Sequence, residues 1–342
     1  MSKKKSSYAA AGVDIDEMMS GLTAIKKMVK STNTSGVRSS IGSFGGLFES
    51  PGKGNTIVAS ADGVGTKLKV AIMANRHHTV GQDLINHCTN DILVQGATPL
   101  FFLDYLGTAK LAGHIFTEVV SGLCKACREN GCALLGGETA EMPGLYPKGE
   151  YDLVGTIVGV VNDKKIITGE TIRPGDVAIG LPSTGLHTNG YSLARKIIFK
   201  QAKLKIDDIF PGTKLTVADI LLKVHRSYLK PVLALMEKVK VQGMAHITGG
   251  GLYDNIPRIL PEGCKVTIDR NSWKVPEVYK FMQEKGKVDP DEMYRVFNMG
   301  IGYVIFVRAK DVDKTLKTLK SVRAAPRIIG KVEKGENVVE LV

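Results

Sequence analysis

The spacing of apolar residues predicts that helices and strands alternate along the first half of the chain. A helix is expected at Asp14–Ser31, because Met18, Leu22, Ile25 and Val29 fall on one stripe. The Ser-, Gly- and Asn-rich stretch Thr32–Gly54 is expected to be a long loop. The same pattern predicts strands at Thr56–Ala61, Leu100–Leu106, Cys132–Leu135 and Tyr151–Val161, and helices at Thr79–Gln95 and His114–Asn130. This alternation favours an α/β or α+β domain with helices on one face of a sheet.

A polar segment, Asn162–Gly175, separates this block from a second one. Since 342 residues exceed the usual size of one hydrophobic core, we predict two domains, residues 1–168 and residues 169–342. In the second block the pattern predicts strands at Asp176–Leu181, Met244–Thr248, Lys265–Asp269 and Tyr303–Val307, and helices at Tyr191–Lys200, within Val217–Val239, at Pro276–Glu284 and at Asp311–Ser321.

The composition is that of a globular protein, with 43% hydrophobic and 23% charged residues. No run of about 18 apolar residues occurs, and the lysine-rich start Met1–Ser7 precedes no apolar segment, so we expect a cytoplasmic protein without a membrane contact. The net charge of +12 is spread over predicted helix faces and lacks the motifs of nucleic-acid binding. Attraction of phosphorylated metabolites is favoured over nucleic acid.

Three cysteines, Cys124, Cys127 and Cys132, have a spacing that superficially suggests a metal site. However, the first two fall on a predicted helix and the third opens the next strand, and no further ligand follows nearby. Buried structural thiols are therefore the favoured interpretation.

Phosphate binding, if present, must use an unusual arrangement, because neither a Walker A motif nor a dinucleotide fingerprint occurs. The segment Asp62–Lys67 places a carboxylate at a strand end, followed by two glycines, a hydroxyl and an ammonium group. This combination suits a metal-bound polyphosphate. An ordinary tight turn with a solvated Lys67 is the alternative.

The helix Thr79–Gln95 carries a polar face, because Asp83, His87, Asn90 and Asp91 fall at helical spacing. This face is either solvated or functional. In the functional interpretation, Asp91 near the helix end and Asp62 at the strand end share a Mg²⁺ ion.

Three further glycine-rich segments follow predicted strands. Gly136–Gly144 presents two acids on a predicted loop. Ser183–Ser192 carries His187 in a turn before a helix start, where backbone amides favour phosphate and an imidazole can titrate near neutral pH. His246–Gly251 repeats the arrangement of a strand, a glycine loop and a helix.

These segments resemble the aminoimidazole ribonucleotide synthetase family, also called phosphoribosylformylglycinamidine cyclo-ligases. The resemblance spans nearly the whole chain, in order. It is carried by DGVGTK (Asp62–Lys67), NDILVQGATPLFFLDY (Asn90–Tyr105), GGETAEMPG (Gly136–Gly144), STGLHTNGYSLARKI (Ser183–Ile197), HITGGGLYDNIPRILP (His246–Pro261) and MYRVFNMGIG (Met293–Gly302).

The resemblance implies a fold and an assembly. The N-terminal domain would be a ferredoxin-like sheet-and-helix domain whose sheet completes a barrel with its twin in a homodimer. The C-terminal domain would be an α/β domain packed beside it.

The resemblance also implies site residues. Asp62 and Asp91 match metal-binding acids. From what ring closure requires, the expected catalytic residues are His187 as an acid/base or phosphate contact, Lys67 as a group that stabilises the transferred phosphoryl, and Asp91. His246 lies where superfamily relatives often carry an aspartate. The expected contacts with ATP or substrate are Lys26, Gly42, Gly45, Gly46, Gly63, Val64, Gly65, Thr66, Asn90, Glu138, Asn189, His246, Thr248, Gly249 and Gly250.

The implied activity is ATP-dependent ring closure of formylglycinamidine ribonucleotide to 5-aminoimidazole ribonucleotide, with ATP and Mg²⁺ bound. Two alternatives remain open. One is ATP-dependent phosphorylation of another small acceptor within the same superfamily, and the other is a non-catalytic nucleotide-binding protein.

Overall fold

The computed structural model describes residues 25–37, 48 and 51–342. Of the helix expected at Asp14–Ser31, the described residues 25–30 are helical, with Ile25 and Val29 buried as the apolar stripe predicts. Most of the predicted loop Thr32–Gly54 lies outside the described residues.

The N-terminal domain is built on a four-stranded mixed sheet. Its strands are β1 (Asn55–Gly63), β2 (Thr98–Thr108), β3 (Ala133–Glu141) and β4 (Tyr151–Asn162), in the order β1-β4-β2-β3. β4 pairs antiparallel with β1 and β2, whereas β2 and β3 are parallel. Besides the helical residues 25–30, the described helices that accompany the sheet are α1 (Lys67–Ala74), α2 (His78–Leu93) and α3 (Gly113–Asn130). Of these, α1 was not predicted from the sequence.

Among the described residues, helices cover one face of this sheet. Along β4, Leu153, Ile157 and Val161 are buried in the core with α2 and α3. The alternate residues of β4 are half-buried, and they share the outer face with Ile57 and Leu103, which are 48% and 37% exposed. The outer face of the described sheet is therefore apolar and only partly covered.

β3 is longer than the sequence pattern predicts. The predicted loop Gly136–Gly144 is strand up to Glu141, because residues 136–141 continue the parallel pairing with Leu103–Thr108 of β2. The prediction of a loop was wrong there, since glycines in a strand resemble a turn when the partner strand is unknown.

The C-terminal domain contains a six-stranded mixed sheet with helices on both faces. Its strands are β5 (Val177–Pro182), β6 (Gly243–His246), β7 (Cys264–Ile268), β8 (Ile301–Val307), β9 (Arg327–Lys334) and β10 (Val339–Leu341), in the order β10-β7-β9-β5-β8-β6. Its helices are α4 (Tyr191–Arg195), α5 (Val217–Leu221), α6 (Leu229–Met236), α7 (Gly251–Asn255), α8 (Glu277–Gly286), α9 (Pro290–Val296) and α10 (Val312–Ser321).

The interior strand β8, which lies between β5 and the edge strand β6, shows why this sheet has two helical layers. All seven of its residues are buried, and alternate side chains enter two separate apolar clusters. Tyr303 and Ile305 pack in the cluster that contains residues of α6 and α10, whereas Val304 and Phe306 join the larger core. A strand buried on both faces has a continuous apolar sequence.

Some boundaries differ from the sequence prediction. The predicted helix Tyr191–Lys200 is α4 followed by a π-helical turn, Lys196–Gln201. The region Val217–Val239 divides into α5 and α6, and the intervening loop holds His225. The strands β9 and β10 and the helix α9 were missed.

The two sheets are connected by the segment between Asn162 and Val177. The predicted domain boundary after residue 168 falls within this segment and stays a prediction. All five cysteines are free and buried, as expected for structural thiols. Within the described residues, no helix is long and apolar enough to cross a bilayer.

Candidate functional site

Four side chains meet where the end of β1 faces α2, and we name them the acid–histidine cluster: Asp62, His87, Asp91 and His246. The His87 Nε2 atom lies 2.8 Å from Asp62 Oδ2 and 3.5 Å from Asp91 Oδ2. The His246 Nδ1 atom lies 2.7 Å from Asp91 Oδ1. His246 ends β6, so both domains contribute to the cluster.

A ring of polar contacts holds the two histidines of the cluster from behind. His87 Nδ1 lies 2.7 Å from the Thr188 hydroxyl, and His246 Nε2 lies 3.0 Å from His225 Nε2. His225 Nδ1 is 3.4 Å from the same Thr188 hydroxyl. The second nitrogen of each cluster histidine is therefore occupied, which fixes the orientation of both rings.

The two carboxylates of the cluster favour the ionised form. Burial opposes ionisation of Asp62, but its hydrogen bond and charge interaction with His87 outweigh this effect and lower its pKa. Burial likewise opposes ionisation of Asp91, whose pKa is lowered by the contact with His246. Asp62 is 44% exposed and Asp91 is 25% exposed, so two negative charges face the opening of the cluster.

The two histidines differ in their basicity. Burial works against the charged form of His87, yet the hydrogen bond with Asp62 and the charge of Asp91 raise its pKa. Burial lowers the pKa of His246, an effect that Asp91 only partly opposes. The His87 imidazole therefore binds a proton more readily than the His246 imidazole does.

Lys67 does not occupy the position expected for a cation that contacts phosphate. Its side chain is fully buried, and its Nζ atom lies 2.7 Å from Asp83 Oδ2. The same Nζ atom donates hydrogen bonds to the carbonyl oxygens of His187 and Lys223. The alternative of a tight turn with a solvated Lys67 is therefore wrong, because the ammonium group is buried. The expected catalytic role of Lys67 stays a prediction, and this placement does not support it.

Asn90 is also a buried connection between the domains. Its Nδ2 atom donates to the carbonyl oxygen of Arg226, and its Oδ1 atom accepts from the backbone N–H of Tyr228. Because Asn90 is completely buried, it fixes the loop that carries His225 and is not placed to contact a ligand. The expected direct contact of Asn90 with a ligand stays a prediction that this placement does not support.

His187 lies beneath the site and not at its opening. Its side chain is 1% exposed, and its Nε2 atom accepts a hydrogen bond from the backbone N–H of Thr184. Its ring stacks on His225 at 3.9 Å between centroids, and burial lowers the pKa of His187 well below its usual range. This placement does not fit the expected acid/base or phosphate contact. It fits support of His225.

The glycine-rich segments approach one another, and two of them adjoin the acid–histidine cluster in the chain, because Gly63 follows Asp62 and Thr248 lies two residues after His246. The Thr66 hydroxyl lies 3.1 Å from that of Ser192, which follows the turn containing Asn189. A Cβ atom placed on Gly249 would lie 3.4 Å from Asn189 Oδ1. Of the residues expected to contact ATP or substrate, Gly63–Thr66 follow Asp62 in the chain, Asn189 follows Thr188, and Thr248–Gly250 lie two to four residues after His246. Their contacts with a ligand stay predictions.

Within these segments, Gly65 and Gly250 have positive φ angles of 67° and 94°. Both angles favour glycine, and Gly65 and Gly249 are exposed, so backbone N–H groups near the opening are accessible. Val64 differs because it is buried, and its backbone N–H bonds the Leu153 carbonyl.

Other expected residues are not brought to the cluster. Glu138 lies on β3, three strand positions from β1, a separation of about 14 Å, and pairs with Tyr105 on the outer face of the sheet. Lys26 is exposed within the helical residues 25–30. Gly42, Gly45 and Gly46 lie outside the described residues.

Sequence reasoning missed three residues that complete the site. Thr188 and His225 hold the cluster histidines, and the Ser60 hydroxyl lies 3.3 Å from Asp91 Oδ2. The alternation of β1 could have revealed Ser60, because it lies two residues before Asp62 on the same face. No local signal marks His225, which lies in an irregular loop.

Comparisons with known proteins agree with this architecture. Residues 45–161 match the family "AIR synthase related protein, N-terminal domain", and residues 173–342 match its C-terminal counterpart. A phosphoribosylformylglycinamidine cyclo-ligase from Geobacter metallireducens is 51% identical over 345 residues, covering 100% of this chain and 99% of that protein. One from Geotalea daltonii is 50% identical over 348 residues, with 100% of both chains covered.

Solved structures of more distant proteins share the fold. The hydrogenase maturation protein HypE in complex with ATP aligns with a TM-score of 0.68 at 16% identity, covering 94% of this chain and 90% of that chain. Thiamine-monophosphate kinase from Stenotrophomonas maltophilia aligns with a TM-score of 0.67 at 15% identity, covering 93% and 95% of the two chains. At these identities the likeness concerns the two-domain α/β architecture alone.

Proposed function

The chain belongs to the phosphoribosylformylglycinamidine cyclo-ligase family, and we propose that it uses ATP to close the imidazole ring of formylglycinamidine ribonucleotide. The products are 5-aminoimidazole ribonucleotide, ADP and phosphate, in purine biosynthesis. The observation that supports this role best is the pair of ionised carboxylates, Asp62 and Asp91, beside exposed glycine-rich backbone. The expectation of a cytoplasmic location stays a prediction.

Asp62 and Asp91 fit a Mg²⁺ ion that accompanies ATP. Mg²⁺ prefers oxygen ligands and usually takes one or two carboxylates together with substrate phosphates. Both carboxylates are ionised and partly exposed, as such a role requires. When bound, the ion would neutralise negative charge on the phosphates.

Backbone N–H groups of the glycine segments would bind the phosphates. Gly63, Gly65 and Thr66 follow Asp62 directly, while Thr248–Gly250 follow His246. The φ angles of Gly65 and Gly250 turn the backbone sharply at both places, and such turns can direct successive N–H groups towards an anion. The Thr66 and Ser192 hydroxyls would add polar contacts at the same opening.

The reaction needs activation because the formyl oxygen is a poor leaving group. Transfer of the γ-phosphoryl group to this oxygen releases ADP, and attack by the amidine nitrogen on the formyl carbon then expels phosphate and a proton. The chain's contribution is to align these groups and exclude water. Thr188 and His225 hold the His87 and His246 rings in place, which keeps the site pre-organised.

We also propose a homodimer that covers the outer face of the N-terminal sheet. Ile57 of β1 pairs with Val160 of β4, and Val158 of β4 pairs with Phe101 of β2. Apolar side chains therefore adjoin one another across these three neighbouring strands. An exposed apolar sheet face of this kind is typical of an interface. Glu138 lies on this face, so any ligand contact by Glu138 would occur near the shared surface.

Substitution of the two carboxylates tests the proposed function. Asp62→Asn and Asp91→Asn should each lower the turnover of ADP release with formylglycinamidine ribonucleotide by several orders of magnitude. The amide cannot supply the negative charge with which a carboxylate binds the Mg²⁺ ion that accompanies ATP. Asp207→Asn, which changes an exposed carboxylate elsewhere, is the matched control and should keep wild-type turnover. Circular dichroism checks that all three variants are folded.

A loss of less than about tenfold for both site variants, equivalent to ~1.4 kcal/mol of barrier, would contradict the assignment. Faster ADP release with a different acceptor than with this ribonucleotide would contradict the proposed substrate and leave the site assignment intact.

A further inference from the structure

The acid–histidine cluster offers nitrogen ligands that a magnesium site does not need. We propose that, in the absence of nucleotide, His87, Asp91 and His246 bind a first-row transition-metal dication such as Zn²⁺ or Co²⁺. Two imidazoles and a carboxylate with an open side form a donor set that such ions favour, whereas Mg²⁺ prefers oxygen. The inference concerns metal binding by the free protein and does not rest on the proposed reaction.

The ligand atoms lie close enough together that small side-chain rotations would place them around one ion. One atom each from His87, Asp91 and His246 lies within 4.8 Å of the others. The distance from His246 Nδ1 to Asp91 Oδ1 is 2.7 Å, and that from His87 Nε2 to Asp91 Oδ2 is 3.5 Å. Ligands about 2.1 Å from a tetrahedral ion are separated by roughly 3.4 Å, so small side-chain rotations suffice.

The contacts behind the two histidines support the same conclusion. A histidine that binds a metal usually uses its second ring nitrogen in a hydrogen bond, which fixes the tautomer and the ring orientation. His87 Nδ1 contacts Thr188, and His246 Nε2 contacts His225, while His87 Nε2 and His246 Nδ1 face the carboxylates. The structure therefore provides both the ligands and the contacts that hold them.

A fourth ligand and a path for the ion are also present. Asp62 Oδ2 lies 2.8 Å from His87 Nε2, and the Asp62 side chain is 44% exposed. Asp62 can therefore approach the same ion from the solvent side, while the histidines remain almost completely buried.

Another histidine group nearby is less suited to a metal. His187, His225 and His246 also lie close together, but the His187 and His225 rings stack at 3.9 Å with an interplanar angle of 18°. Because the nitrogen lone pairs lie in the ring plane, two stacked rings do not direct them at one ion. The proposal is therefore limited to His87, Asp91 and His246, with Asp62 at the opening.

Cobalt titration of the full-length, metal-free protein without nucleotide tests the proposal. Co²⁺ in a site with nitrogen ligands absorbs in the visible range, and we expect saturation at one Co²⁺ per chain and displacement of the signal by Zn²⁺. Calorimetry should show Zn²⁺ binding more tightly than Mg²⁺. His87→Gln and His246→Asn should each weaken Zn²⁺ binding by more than about 100-fold, and His225→Gln by about 10–100-fold.

His78→Gln is the matched control, because His78 is exposed at the start of α2, away from the cluster, and should leave the titration unchanged. Thermal unfolding without metal identifies variants that are misfolded. If wild-type protein gives no saturable visible signal, or if the signal survives in both His87→Gln and His246→Asn, the inference is wrong. Normal Mg²⁺-dependent turnover in the same preparation would then show that the proposed function stands separately.

Discussion

At the scale of single residues, the ion pair between Lys67 and Asp83 links the N-terminal domain to loops of the C-terminal domain. Both side chains are fully buried, and each has a further contact with a C-terminal loop: Lys67 Nζ donates to the His187 carbonyl, and Asp83 Oδ1 accepts from the His225 N–H. Burial lowers the pKa of Lys67, while the Asp83 carboxylate opposes this change. The pair therefore orders the backbone that carries two histidines beside the site.

Removal of one partner should destabilise the protein strongly. Lys67→Met leaves the Asp83 charge buried without its partner, and we expect a loss of about 3–5 kcal/mol in the free energy of unfolding. Denaturant titration measures this loss. The double variant Lys67→Met/Asp83→Leu should recover much of it, since no buried charge remains.

Lys69→Met is the matched control in the same helix. Lys69 pairs with Glu150 at the surface, so its substitution should cost less than about 1 kcal/mol. A Lys67→Met variant with wild-type stability and a large loss of turnover would instead restore Lys67 as a ligand of the transferred phosphoryl group.

At the scale of secondary-structure elements, the close contact between α2 and α3 determines the position of α2, the helix that carries the polar residues of the site. A Cβ atom on Gly81 would lie 2.3 Å from the Val119 carbonyl oxygen, and one on Gly122 would lie 2.2 Å from that of His78. The two backbones are therefore in contact, which no other residue type would permit. α2 carries Asp83, His87, Asn90 and Asp91, so its position sets the geometry of the whole site.

Gly81→Ala should separate the two helices despite the better helix propensity of alanine. We expect a net loss of about 1–3 kcal/mol in unfolding free energy from overpacking, with a fall in turnover as Asp91 moves. Ser121→Ala, at an exposed position of α3, is the control and should stabilise the protein slightly. Equal stability and turnover of Gly81→Ala and wild type would show that the helix contact is not essential.

The whole molecule is asymmetric in how its two sheets are covered. The C-terminal sheet has helices on both faces, whereas the N-terminal sheet has helices on one face of its described part. Leu103 and Ile57 remain exposed on the other face. A second copy that packs there would bury them and would complete the barrel that the family resemblance implies.

Substitution of Leu103 tests this assembly. We expect wild-type protein to sediment as a dimer at micromolar concentration and Leu103→Lys to sediment as a monomer, because a lysine charge would be buried in the interface. Ile209→Lys, at a position 58% exposed in the C-terminal domain, should remain a dimer. A wild-type monomer with full activity would contradict the proposed homodimer.

The amino-acid sequence alone determined most helices and strands, the two-domain organisation and the family. Periodicity identifies α2 and β4 because their apolar residues recur at the spacing of a buried face. The sequence also placed Asp62 and Asp91 at adjoining element ends. Short edge strands such as β10 escaped prediction, since three residues carry too little pattern.

Only the tertiary structure decided which polar residues face the opening and which are buried between domains. Lys67, Asn90 and His187 belong to conspicuous motifs, yet all three are buried. Lys67 and Asn90 bond loops of the C-terminal domain, whereas the His187 side chain packs on His225 within its own domain. Conversely, His225 has no motif and completes the site through contacts with His246 and Thr188. The physical reason is that charge and hydrogen-bonding capacity are properties of a residue type, whereas accessibility depends on the packing of distant segments.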